Sequence, residues 1–204
     1  MESFNDDNPN IPDSYKNNDS IVTCHNIYNL QNKIKTTNII KNIIGSEKLF
    51  ISLDTESYER NHNLLTEIGW VIFDKLGKIK KKRQCVIKEN IKYHNKRVGD
   101  NKFNYNFGRY EVIPLTGAKK ILINDLKKVD YIVGQDIKKD TRDLEKIGID
   151  LTKFEVINGV EKQYGIIDTL DLYTGNFIEK GIKLEKGLEK LSISYENLHN
   201  AGIF

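Results

Sequence analysis

Phe50-Ile51-Ser52-Leu53-Asp54-Thr55-Glu56 is the stretch whose reading decides the fold. A short apolar strand runs into two carboxylates one residue apart. Downstream, residues 67–74 (Glu67, Ile68, Gly69, Trp70, Val71, Ile72, Phe73, Asp74) form a second strongly β-prone run. The polar turn Lys75-Leu76-Gly77-Lys78 leads to a third run at 79–87. Three strands with short connections predict an antiparallel meander. The period then changes. Ala118, Ile121, Leu122, Leu126 and Val129 fall on one face of a helix. Tyr131-Ile132-Val133-Gly134 reads as a short buried strand, and 139–147 as a helix with Leu144 and Ile147 turned inward. Gly165-Ile166-Ile167-Asp168 reads as another strand, and Leu184, Leu188 and Leu191 mark a third helical face. The order βββαβαβα predicts an α/β fold, a mixed five-stranded sheet flanked by helices.

Outward from this block the chain is less structured in pattern. Residues 1–35 are rich in Asn, Asp and Ser and hold Pro9 and Pro12, two of the three prolines. They are expected to form a disordered or loosely ordered tail. Residues 38–44 are too short a run for periodicity to choose helix or strand. The ordered domain is expected over 48–204. Within it, 89–113 is long and irregular, and a loop of that length in a compact domain is usually functional or a family-specific insert.

Composition limits the function classes. Hydrophobic residues make up 38% of the 204, with ten Tyr, eight Phe and one Trp, enough for a real core. Lys and Arg number 32 against 29 Asp and Glu, a net +3, so nucleic-acid contact requires a local patch rather than bulk charge. Cys24 and Cys85 build neither a disulfide framework nor a zinc site. No apolar run is long enough to span a membrane, and the N-terminus lacks the pattern of a secretory signal. A soluble intracellular protein of nucleus or cytoplasm is expected, with no membrane partner.

Asp54 and Glu56 sit on alternate positions of a strand, so both point to one face, roughly 6–7 Å apart. Side by side and buried, they would repel. A hard divalent cation such as magnesium or manganese relieves that repulsion. The competing reading is a solvated loop end with ordinary charges. A second acidic group, Asp136, Asp140 and Asp143, follows the later strand. Acidic residues at a helix start also complement the helix dipole, so this group reads equally well either way. Two strand ends delivering carboxylates are what a metal site at one sheet edge needs. Two ions about 3.5–4 Å apart could activate water and stabilise the leaving oxygen of a phosphodiester.

At these residues the sequence resembles the DEDD 3′–5′ exonucleases. Ser52-Leu53-Asp54-Thr55-Glu56 with Leu65-Thr66-Glu67-Ile68-Gly69-Trp70 is similar to their first motif. Gly134-Gln135-Asp136-Ile137-Lys138-Lys139-Asp140 is similar to the second, and Leu198-His199-Asn200-Ala201-Gly202 to the start of the third in its histidine, DEDDh form. Within that family the chain most resembles a poorly characterised fungal group of RNase H-like domains, some linked with messenger RNA export. Asn106-Phe107-Gly108 and Ile167-Asp168-Thr169 share the likeness.

The resemblance implies an RNase H-like fold and metal-dependent 3′–5′ hydrolysis of nucleic acid. It implies that Asp54, Glu56 and Asp140 hold two divalent ions, and that His199 takes the proton of the attacking water, a task suited to a near-neutral imidazole. Two departures stand out. Gln135 replaces the usual His of the second motif. The final aspartate of the third motif would fall at 204, where the chain has Phe204 and stops. A C-terminally truncated domain, lacking its usual last helix and impaired in catalysis, is therefore expected. The alternative is a non-catalytic module that binds nucleic acid or a protein partner.

Two basic stretches remain. Lys78, Lys80, Lys81, Lys82 and Arg83 read as a solvated edge or as phosphate contacts. In 89–113, Lys92, Lys96, Arg97, Lys102 and Arg109 alternate with Tyr93, Phe103, Tyr105, Phe107 and Tyr110. Cations on phosphates and aromatics on bases would suit single-stranded nucleic acid. An aromatic-pinned loop explains the same pattern equally well. Lys96, Arg97, Phe107 and Arg109 are the nucleic-acid-binding candidates. Cys85 is expected to be inert packing, and Asp168-Thr169 a hydrogen-bonded strand end.

Overall fold

The computed structural model describes residues 15, 20–96, 102–103 and 109–194, with side chains of 20–25 left undescribed. The meander is present as β1 (Leu49–Tyr58), β2 (Asn61–Asp74) and β3 (Ile79–Ile87), each antiparallel to the next. The alternating half follows as α2 (Leu115–Leu126), β5 (Tyr131–Gly134), α3 (Lys138–Lys146) and β7 (Gly165–Asp168), with β1, β5 and β7 parallel. The five expected strands therefore lie in the order β3-β2-β1-β5-β7. Two short strands extend the sheet to seven. β4 (Tyr110–Ile113) lies parallel on the outer edge of β3, and β6 (Glu155–Val156) on that of β7. The fold is a mixed α/β sheet of the RNase H-like kind.

The sheet has two unequal cores. On one face, Ile51, Leu53, Ile68, Trp70, Ile72, Cys85, Ile87 and Ile132 pack against Ala118, Leu122 and Leu126 of α2 and Leu144 of α3. Burial pushes the Cys85 thiol up to about 12, so it stays protonated and serves as packing. On the other face, Phe50, Tyr131, Ile157 and Ile167 meet Ile40 and Ile43 of α1 (Ser20–Ile44), with Leu172 of α4 (Thr169–Phe177) beside them.

Of the tail expected over 1–35, the described part from Ser20 differs from a loosely ordered segment, and the rest lies outside the described residues apart from Tyr15. From Ser20 the chain is helical, and Ile27, Leu30, Ile40 and Ile43 are buried. Their spacing is helical, but Asn and Lys between them dilute the pattern. Thr36 and Thr37, buried inside the helix, look like loop residues in the sequence. Thr37 donates to Lys33 O (2.9 Å), and Thr36 accepts from Gly159 N–H (2.7 Å). Gly175 permits the close approach of α4, since a Cβ there would stand 2.3 Å from Lys33 O.

α4 itself was not expected. Asp168 caps it by accepting from Leu170 N–H (2.9 Å). α5 (Leu184–Lys190) forms where the third helical face was read, yet buries no residue. Leu184 and Leu191 stay exposed.

Candidate metal centre

β1 is longer than its parallel neighbour. β5 pairs only with Phe50–Ser52, so Asp54 and Glu56 project past its end, where the chain turns into α3. That turn is tight: a Cβ on Gly134 would stand 2.7 Å from the Ile137 side chain, and Asp136 adopts a left-handed φ of 50°. Asp136 N–H donates to Asp168 Oδ1 (3.0 Å), tying the turn to the end of β7. Thr169 Oγ donates to Gln135 Oε1 (2.5 Å), and Gln135 Nε2 to Ile182 O (3.2 Å). The Asp168-Thr169 pair is thus the hydrogen-bonded strand end expected of it, and Gln135 braces the same corner.

The turn sets Asp140, in the first turn of α3, against β1. Thr55 donates twice to Asp140 Oδ1, from its N–H (2.9 Å) and its Oγ–H (2.7 Å). Asp140 is 7% exposed. Burial pushes its carboxyl above the usual range, while the Thr55 donors pull the other way. Asp54 is pushed up further. Desolvation is the main cause, followed by the negative charges of Asp140 and then Glu56. Thr55 N–H and Lys139 oppose the rise without cancelling it. The two strand ends therefore bring Asp54 and Asp140 into one electrostatic unit, with Glu56 alongside.

Directly across from Glu56 in the β1–β2 register stands Glu67, a buried carboxylate that sequence reasoning did not assign to the site. Gln84 Nε2 donates to its Oε2 (2.5 Å). The signal for it was cross-strand: once β1 and β2 pair, position 67 must share the face of 56. Asp143, one helical turn beyond Asp140, is buried and paired with Lys146 (2.7 Å). Its Oδ2 has no hydrogen-bond partner among the described residues. Asp136 is exposed and serves the turn.

The donor set fits a hard divalent cation in kind, because carboxylate oxygens that repel each other in a desolvated place are stabilised by one. Among the described residues no three His, Cys, Asp or Glu side chains converge closely enough to hold an ion.

The nucleic-acid candidates separate. Lys96 is exposed beside the β1–β2 hairpin, and Arg109 is exposed at the start of the edge strand β4, three strands from β1. Lys102 is buried and donates to Tyr93 O (2.5 Å), so it anchors the loop rather than meeting solvent. Arg97, Phe107 and His199 lie outside the described residues. The basic run of β3 is largely matched: Lys80 pairs with Asp74 (2.8 Å), Lys81 with Asp125 (2.6 Å), and Arg83 with Glu111. No described helix is long and apolar enough to cross a membrane.

Residues 49–202 match the family model of the DNA polymerase III subunit epsilon-like, C-terminal domain. Two proteins of Saccharomyces cerevisiae are similar over 80% of this chain at 28% identity: "Uncharacterized protein YDR514C" and "Good for full DBP5 activity protein 2". The matched part is 40% of the first and 34% of the second, so the chain spans well under half of either relative. That match covers most of the chain, and the chain belongs to the DNA polymerase III subunit epsilon-like, C-terminal domain (DEDDh) family.

Proposed function

We propose that this domain binds single-stranded nucleic acid with its end at the Asp54–Asp140 edge, and that the edge takes up divalent cations. The observation that carries the reading is the desolvated Asp54 carboxyl facing two further carboxylates. An arrangement that costs stability in the free protein is explained by a ligand that needs it.

Asp54, Glu56 and Asp140 would hold magnesium or manganese. When bound, such ions supply Lewis-acid polarisation of a phosphodiester oxygen. The protein's own part is positioning. Thr55 fixes Asp140 Oδ1 through two hydrogen bonds, while the Gly134–Ile137 turn sets the height of α3 against β1. By family resemblance His199 is the proton acceptor. Hydrolysis is expected to be weak, because Phe204 stands where the family pattern has its last aspartate. A side chain without oxygen leaves one metal ligand missing.

The test is binding of a labelled single strand by anisotropy, in EDTA and across a salt series. Salt-sensitive binding that survives Asp54→Ala is expected. Absence of binding at low salt overturns the reading. Manganese-dependent shortening of the strand, lost in Asp54→Ala, would show that catalysis persists despite Phe204.

A second reading, a non-catalytic interaction module, is favoured by the similarity to a protein named for full DBP5 activity. It predicts protein capture with no affinity for nucleic acid.

A further inference from the structure

We propose that the tip of the β1–β2 hairpin, with the loop docked on it, is a base-stacking platform for single-stranded nucleic acid a few nucleotides from Asp54. This deepens the nucleic-acid reading above and rests on it.

Along the second half of β1, Asp54, Glu56 and Tyr58 are the half-buried positions, with Thr55 and Ser57 buried between them, and the pairing with β2 shifts register on either side of Ser57. They form one row. At ~3.3 Å per residue, Tyr58 lies about 13 Å beyond Asp54. That is the span of a few extended nucleotides.

At the end of the row the Tyr58 ring meets that of Tyr93, with centroids 5.0 Å apart and planes tilted by 34°. Neither ring belongs to either apolar core. Both stay half-buried at the far end of the hairpin.

Hydrogen bonds tie the platform to the hairpin. Asn95 Oδ1 accepts from Glu59 N–H (2.9 Å), and its Nδ2 donates to Ser57 O (3.0 Å), so its amide bridges the strand end as a neighbouring strand would. Lys96 N–H donates to Glu59 Oε2 (3.1 Å), and buried Lys102 holds Tyr93 O. Arg60, Lys92 and Lys96 are exposed around the pair, with Lys92 Nζ 5.4 Å from the Tyr93 centroid. Preorganised rings with cations at their rim match a polymer that alternates flat bases and phosphates. A duplex keeps its base faces stacked inside, so the fitting ligand is a single strand.

The experiment uses the full chain in EDTA, with labelled oligouridylate and oligodeoxythymidylate read by anisotropy. The double variant Tyr58→Leu/Tyr93→Leu should lose about tenfold in affinity on both polymers, and Tyr58→Phe/Tyr93→Phe should retain it, because stacking needs the ring and not the hydroxyl. The triple variant Arg60→Ala/Lys92→Ala/Lys96→Ala should lower the slope of log affinity against log salt by about two. Wild-type affinity in the leucine variant overturns the platform while leaving the nucleic-acid reading standing. No binding by the wild type at low salt overturns both. Should the leucine variant fail to fold, by circular dichroism, the triple variant decides, and an unchanged slope overturns the platform.

Discussion

Asp125 on α2 and the Asp54–Asp140 pair place carboxylates in the same sheet-and-helix framework in opposite ways. Asp125 is 1% exposed and fully answered. Trp70 Nε1 donates to its Oδ2 (3.0 Å), and Lys81 Nζ reaches both oxygens (2.6 and 2.7 Å). Asp54 faces Asp140 and Glu56 instead, with only Thr55 N–H and Lys139 opposing them. A buried carboxylate supplied with its own donors belongs to the framework. One set against other carboxylates is left with a repulsion that a cation would relieve.

The sharpest break of this contrast is Asp125→Ala. The Trp70 indole N–H would be left buried without an acceptor, at a cost of about 1–3 kcal/mol. Lys81 is one-third exposed and can turn to water, so its loss adds little. Urea unfolding should show about 2–3 kcal/mol of destabilisation, and a loss well below 1 kcal/mol would count against a framework role.

Asp54→Asn should act in the other sense. In chelator at neutral pH it removes the cost of placing an ionisable carboxyl beside two others, and Tm should rise by about 2–4 °C, the change that ~1 kcal/mol makes in a domain of this size. Manganese should raise Tm of the wild type but not of this variant. A fall in Tm without metal would sink the account of Asp54.

Thr55→Val should be milder, about 1 kcal/mol, because Asp140 Oδ1 loses the hydroxyl donor and keeps the backbone one.

The smallest effect concerns pH. Asp54 and Asp140 have raised pKa values in the folded state, so between the unfolded and folded values the native protein holds protons that the unfolded chain has released. Their contribution therefore favours folding below the unfolded carboxylate range and is lost as pH rises through the folded values. The stabilising effect of Asp54→Asn should shrink as pH is lowered into that window. Asp74 and Asp150, with lowered pKa values, work oppositely in both proteins and cancel in the difference.

Much of this site was legible from residues 50–56 and 134–140. A short apolar strand running into Asp54-x-Glu56 determines the shared face, and Gly134 followed by a polar turn places Asp140 at a helix start. Glu67 lies within the first motif, yet its place beside Glu56 is not legible there, since register is a relation between strands. Lys102 looked like one more cation in a basic loop, because nothing local distinguishes a lysine that will be buried. α1 was missed because its apolar residues are sparse among Asn and Lys, and only the second sheet face, with Gly175 permitting close approach, gives them a surface to cover.

By itself the sequence determined the class of fold, the succession of strands and helices along the chain and the two acidic segments, because periods of two and 3.6 residues and the turn chemistry between them are local properties. Tertiary structure alone decided which charges are answered and which are not. Lys81 meets Asp125, and Thr55 meets Asp140, across 44 and 85 residues of chain. Desolvation and Coulomb repulsion act through space, so they exist only once the sheet and its helices have been assembled.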